Sequence, residues 1–453
     1  MKKCLLLLLF GSFLSIAQKS PNFNSLRYHD DFRSMVGDSS GNWYPKLKFA
    51  SVSKNDSTYF SFGGDIRLQY FKFDNEDWGD TQSDKDGFLL NRYLLHVDFH
   101  TGKHFRAFFQ IQSSSVSGRL DPSPIEENPL DWHQAFADWK QDFGKGSLTL
   151  RVGRQEFWYG SQRLVAVREF PNNRLSLDAA KLIFMRGSVN SEVFFAYPVV
   201  NGRQIFDDNI ETETRLWGNY TVLKSVPFLQ NIDVYYFGLR KENAAFANTI
   251  GREHRHSFGT RIWNKGQAFL YDIEGVYQFG ALENQAISAW TISSYLTYRF
   301  ENAGLKPKIG LKTEVISGDR NASDNRLQTF NPLFPRGAYF GLAGIIGPSN
   351  LYDIHPEIAL SLTKTIDFGL DYDLFWRFST EDGIYAPNVS LIYPGESSER
   401  FIGTQLAANI AWEPNAFFSL KAETTWFDAG NFLKNSGAGQ DIFFFGITSQ
   451  FKF

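Results

Sequence analysis

The sequence is poor in cysteine and in long apolar runs. Its one cysteine, Cys4, lies at the extreme N-terminus. The rest of the chain therefore has no disulfide framework, no Cys nucleophile and no Cys metal site. After residue 17 no apolar stretch approaches the roughly 20 residues that a spanning helix needs. Formal net charge is only −3, which argues against a broad nucleic-acid surface. No GxSxG or HExxH segment occurs. His96 and His100 share one face of an expected strand but would lie about 13 Å apart, too far for one ion, and His254 with His256 lacks an evident third ligand. The sequence thus predicts no catalytic residue, no metal, no cofactor and no nucleic-acid partner.

What is present begins with an export signal. Lys2 and Lys3 precede an apolar run from Leu5 to Phe10, and Ser15-Ile16-Ala17 reads as a cleavage site. Residues 1–17 are expected to be a signal peptide, residues 18–57 a periplasmic lead-in too small for a plug domain, and residues 58–453 one continuous barrel. Aromatic residues make up 17% of the chain, with Phe 45 and Tyr 19, yet mean hydropathy is below zero. A membrane barrel reconciles the two, because only alternate residues face lipid while aromatic girdles enrich Phe, Tyr and Trp.

Alternation carries the fold prediction. Phe60, Phe62, Ile66, Leu68 and Tyr70 share one face, with Asp65, Arg67 and Gln69 on the other. Phe269, Tyr271, Ile273, Tyr277 and Phe279 likewise oppose Asp272, Glu274 and Gln278. About eighteen such runs, each roughly 10–14 residues long, predict an all-β transmembrane antiparallel β-barrel of 18 strands. Short turns, such as Thr101-Gly102-Lys103 and Arg186-Gly187-Ser188, alternate with expected long loops at 74–86, 118–130, 161–175, 200–212, 243–254, 318–355, 380–400 and 428–440. That asymmetry fits short periplasmic turns and long external loops in the outer membrane of a Gram-negative bacterium. Outer-membrane lipid, lipopolysaccharide and the barrel-assembly machinery are then expected partners, the last reading the aromatic strand that ends at Phe453.

The polar faces would line a lumen. By parity Arg67, Arg92, Arg106, Arg151, Arg215, Arg261, Arg299 and Arg377 point inward, interleaved with Asp65, Asp98, Asp138, Asp272, Glu274, Glu314, Asp371 and Asp373. Guanidinium forks match carboxylates, so the lumen favours anionic solutes or else braces itself by internal ion pairs.

The stretch Val152-Gly153-Arg154-Gln155-Glu156-Phe157-Trp158-Tyr159-Gly160-Ser161-Gln162-Arg163-Leu164 continues to Val167-Arg168-Glu169, Pro171-Asn172-Asn173-Arg174 and Leu177-Asp178. It resembles the alginate-export outer-membrane family. Phe330-Asn331-Pro332-Leu333-Phe334-Pro335-Arg336-Gly337 and Trp426-Phe427-Asp428-Ala429-Gly430-Asn431 are similar to the same family. The resemblance implies an eighteen-stranded channel for an anionic uronic-acid polysaccharide, served by a periplasmic secretion complex. It adds Arg154, Glu156, Arg163, Arg168, Arg174 and Asp178 to the expected pore-lining set. Strict alternation puts Arg151 and Gln155 inward but Arg154 and Glu156 outward, unless Gly153 marks a bulge. A general or other-solute porin is the alternative, and a barrel enzyme acting on lipid or glycan a more distant one.

Overall fold

The computed structural model describes residues 21–35, 43–246, 249–266, 268–321 and 323–453; the expected signal at residues 1–17 lies outside them. The wall of the fold is built from β1 (Thr58–Asp74), β2 (Phe88–Thr101), β3 (Phe105–Ser117), β4 (Asn128–Phe143), β5 (Gly146–Gln155) and β6 (Leu177–Arg186). It continues through β7 (Val189–Val200), β8 (Thr214–Val226), β9 (Gln230–Phe246), β10 (Thr249–Trp263), β11 (Phe269–Leu282) and β12 (Gln285–Arg299). It finishes with β13 (Lys308–Ile316), β14 (Leu351–Ser361), β15 (Ile366–Arg377), β16 (Phe401–Asn415), β17 (Phe418–Ala429) and β18 (Ile442–Lys452). Each strand pairs antiparallel with the next, and β1 pairs with β18 from Asp65↔Lys452 to Asp74↔Phe443. The result is the closed 18-strand antiparallel barrel that the alternation predicts. Closure leaves no strand edge with unpaired backbone groups, the condition for spanning a bilayer with strands.

Burial runs opposite to that of a water-soluble protein. Phe109 on β3 and Ile292 on β12 point outward and are 45% and 56% exposed. Arg92, Gln278 and Asp373 point inward and are fully buried. The outward apolar surface needs a lipid solvent, and the polar interior needs a lumen with its charges matched.

Connections at one end are short, as at 144–145 and 187–188. At the other end seven are long: 75–87, 118–127, 156–176, 201–213, 317–350, 378–400 and 430–441. The expected long loop at 243–254 does not exist. β9 runs to Phe246 and β10 starts at Thr249, with Phe246 paired opposite Thr249. Ala244 and Phe246 stay buried, so the strand continues through residues whose small, polar character reads as loop.

Residues 21–35 do more than lead into β1. Tyr28 packs edge-on against Phe136, and Arg151 lies over its ring at 4.4 Å. Phe136 and Arg151 are inward residues of β4 and β5, so this segment lies within the barrel and fills part of its lumen. Arg27 donates to Gly64 O at 2.8 Å and to Phe453 O at 2.9 Å, bridging the first and last strands. Its charge is met by Asp30 at 2.8 Å. Sequence reasoning missed this occupancy because a short segment without periodicity gives no sign of what it packs against.

Candidate functional site

Two long loops fold into the barrel and meet there. In the loop 156–176, Leu164 to Val167 form an apolar run that is almost wholly buried. Water would penalise that run, and the aromatic inner surface of β7 to β9 accepts part of it. The asparagines of Pro171-Asn172-Asn173-Arg174 tie the loop to backbone carbonyls. Asn172 Nδ2 donates to Asn91 O at 3.0 Å and Glu126 O at 2.8 Å, and Asn173 Nδ2 to Pro124 O and Glu127 O at 2.9 Å each. From the other direction comes the loop 317–350. Val165 and Phe334 form a parallel bridge, with Ala166 N donating to Phe334 O at 3.0 Å and Phe334 N to Leu164 O at 2.8 Å. Gln405 Nε2 then donates to Phe340 O at 2.6 Å, fastening this second loop to β16.

Most of the expected pore arginines are engaged in ion pairs. Arg106 donates to Asp98 at 2.7 Å, and Arg151 makes a two-point pair with Asp138 at 2.7 and 2.8 Å. Arg174 contacts Glu156 at 3.0 Å and Glu169 at 2.9 Å. Arg92 also meets Glu169, and Arg67 donates to Glu169 O at 2.6 Å and Pro171 O at 3.0 Å. Burial alone would raise the Glu169 carboxyl, but Arg174, Arg92 and Arg67 outweigh it and hold the carboxyl well below the usual carboxylate range. Arg163 reaches from the first loop to the wall, donating to Glu274 at 3.1 Å and meeting Glu314 and the Tyr339 hydroxyl. Burial opposes its charge, but Tyr339 and Glu274 keep the guanidinium above its ordinary value. Arg261 pairs with Asp272 at 2.7 Å. Arg377 donates to the carbonyls of Thr380, Asp382 and Glu399, which makes it a clasp for the loop 378–400.

A few cations remain free of carboxylates. Arg168 makes no hydrogen bond or ion pair among the described residues; it lies 5.8 Å from the Phe334 ring centroid, with a left-handed backbone at φ 54°. Burial pulls its guanidinium down to about 10, with no carboxylate to oppose the shift. Arg336 on the second loop donates to Tyr339 O at 3.0 Å and leaves Nε unpartnered. Burial lowers its pKa and the charge on Arg163 pushes the same way. Arg299 is exposed inside the barrel, in the wall of a cavity of about 600 Å³ at the short-turn end. A second cavity, about 500 Å³, lies toward the long-loop end, with Phe334 in its wall. Arg336 borders two smaller ones, of about 250 and 390 Å³. The paired loops therefore separate chambers at the two ends of the lumen.

Three expected pore residues, Arg215, Arg154 and Asp178, face outward. Arg215 faces outward, because its neighbours Leu216 and Tyr220 take the buried inner positions and Trp217 sits opposite the outward Phe195. Apolar residues fall on both parities of β8, Leu216 and Tyr220 inward and Trp217 outward, so alternation alone does not fix the face of Arg215. Arg154 also faces outward, pairing with Asp178 at 3.0 Å on the outer surface. Glu156 turns inward, against strict alternation, because β5 ends at Gln155; its carboxylate lies 2.8 Å from His133 Nε2. Gly153 is no bulge, since Phe136↔Gly153 and Ala135↔Arg154 stay in register. Its φ of 129° and the carbonyl of Ala135, 2.2 Å from where a Cβ would sit, explain why glycine is there. Sequence reasoning placed Asp373 inward but missed Asp353 and His355 grouped with it. Alternation within Asp353-Ile354-His355 and Asp371-Tyr372-Asp373 carries the signal, but only the β14–β15 register unites the two strands.

A closed barrel with an apolar exterior, a charged interior and infolded loops defines an outer-membrane channel of the porin type. The chain belongs to the alginate export family, whose model matches residues 58–443. Among solved structures it is similar to Pseudomonas aeruginosa OccD3 (OpdP), at 11% identity and TM-score 0.58, over 90% of this chain and 93% of that one. It is also similar to P. aeruginosa OccK2 (OpdF) in complex with glucuronate, at 8% identity and TM-score 0.55, over 87% and 97% of the two chains. P. aeruginosa OpdK with vanillate matches at 7% identity and TM-score 0.55, over 86% and 98%. A search of curated protein sequences finds no significant match.

Proposed function

We propose that this barrel conducts anionic, uronate-type oligosaccharides or polysaccharides across the outer membrane of a Gram-negative bacterium. The observation that carries the reading is the state of Arg168 and Arg336. Both sit on the loops that meet across the lumen, and neither is neutralised by a carboxylate among the described residues. A solute bearing carboxylates supplies the missing partner, and guanidinium forks take it up in two-point hydrogen bonds. The paired arginines around them hold the loops in place rather than bind cargo. Two structural relatives are described with small carboxylates, glucuronate and vanillate, which fits a carboxylate-bearing cargo.

The test is reversal potential in a planar bilayer with the full chain, followed by addition of uronic-acid oligomers. Anion selectivity and block by the oligomers are expected. A cation-selective pore that the oligomers leave unblocked overturns the reading and favours a porin for other solutes.

A further inference from the structure

We propose that Asp353, His355 and Asp373 bind one divalent transition-metal ion of the Zn²⁺ type on the inner wall of β14 and β15. Each residue offers a ligand atom, and those atoms lie within 4.8 Å of one another. Zinc bonds to nitrogen and oxygen run about 2.0–2.2 Å in a tetrahedral array, so its ligand atoms stand about 3.3–3.6 Å apart. Small side-chain rotations close the difference.

The case rests on what the carboxylates lack. Asp353 is 1% exposed, and neither of its carboxylate oxygens has a hydrogen-bond partner among the described residues. A buried carboxylate without partners is costly and calls for a cation. The cations nearby form no ion pair with Asp353 among the described residues. Arg163 serves Glu274 and Glu314. Lys312, opposite His355 on β13, turns its ammonium over the Tyr339 and Phe340 rings at 4.9 and 4.6 Å and forms no ion pair with Asp353 among the described residues. His355 Nδ1 touches Asp373, and Nε2 lies 3.5 Å from Asp371. A protonated imidazole answers those two carboxylates and still leaves Asp353 without a direct partner among the described residues.

The remaining features are those of a metal site. Gln405 Nε2 donates to Asp373 Oδ2 at 2.8 Å, orienting that carboxylate from outside the ligand set. The cavity of about 390 Å³ that borders Arg336 also borders His355 and Asp371, giving an ion a route in. One imidazole with two carboxylates selects a borderline transition metal, whereas Ca²⁺ and Mg²⁺ favour all-oxygen sets. A bound ion would add two positive charges to an acidic stretch of wall beside Arg163.

Isothermal titration of the purified, metal-stripped full chain in detergent with Zn²⁺ tests this. Co²⁺ absorption spectra serve as a second readout, and heat-modifiable gel migration shows that each variant is folded. One Zn²⁺ per chain is expected, with binding at least about a hundredfold weaker in D353N and in H355Q. Co²⁺ is expected to give d–d bands that disappear in H355Q. Absence of Zn²⁺ binding, or equal binding by the folded variants, overturns the proposal and leaves an imidazolium–carboxylate network. These readouts are independent of transport, so they stand whether or not the channel prefers anions.

Discussion

On β1 to β5 every inward arginine meets the first infolded loop, the N-terminal segment or a wall carboxylate: Arg67 and Arg92 hold the stretch around Glu169, while Arg106 and Arg151 pair with Asp98 and Asp138. On β13 to β15 the balance is reversed. Among the described residues Asp371 and Asp373 pair with His355, Asp353 pairs with no cation, and Lys312 is turned toward aromatic rings. Between the two walls stand Arg168 and Arg336 on the joined loops. The first wall spends its charges on holding protein to protein. The second wall and the loop arginines leave charge available to something that is not protein. Counting arginines cannot separate these roles, whereas asking which carboxylate each one faces does.

The largest effect is expected where a buried ion pair joins a loop to the wall. Arg163→Ala leaves Glu274 and Glu314 without their cation, a loss on the order of 3–5 kcal/mol for a buried pair broken on one side. The loop 156–176 should come free, seen as faster hydrogen exchange at Leu164 to Val167 and as higher single-channel conductance. Unchanged exchange would show that the two loops stay docked without it. Next comes Arg168→Glu, which removes a charge that has no partner. Reversal potentials should move clearly toward cation selectivity while hydrogen exchange of the loop stays as in the parent chain. If the loop is released as well, Arg168 belongs with the docking arginines and the contrast between the walls fails.

Glu169 gives a smaller, pH-dependent effect. Its folded-state carboxyl is held below its unfolded value by the arginines around it. Its contribution to docking is therefore complete above about pH 4.3 and is lost only as pH falls through the lowered value. Conductance should stay constant from about pH 7 to about pH 5 and change only in stronger acid. Glu169→Gln should abolish that acid transition and raise anion selectivity, because Arg67, Arg92 and Arg174 lose a shared carboxylate. Arg215→Ala should do least. It lies outside the barrel with no ion pair among the described residues, so stability should shift by about 0.5 kcal/mol or less, with selectivity unaltered.

The strand count was legible because every wall strand repeats the same period. The alternations Phe60 to Tyr70 and Phe269 to Phe279 fall within β1 and β11. Loops were harder to read, since polarity marks water contact and these polar segments serve other ends. Residues 243–246 continue a strand, while 156–176 and 317–350 turn inward to satisfy strand carbonyls and each other. Individual arginines were harder still. A one-residue uncertainty in parity reverses a face, as Arg215 shows, and pairing depends on which strands become neighbours. Asn172 and Asn173 stand out in the sequence as a motif. Only the fold shows that they fasten the loop to backbone carbonyls.

The seam has a further consequence. Gly64 and Phe453 exchange backbone hydrogen bonds of 3.0 Å, and Arg27 caps both carbonyls from inside the barrel. The first and last strands are thus clasped by a residue that precedes them both in the chain. During assembly, the clasp can be completed only after the N-terminal segment has entered the nascent cylinder. That makes Arg27 a late reporter of correct closure, and a label at that position would distinguish a finished barrel from one still open along its side.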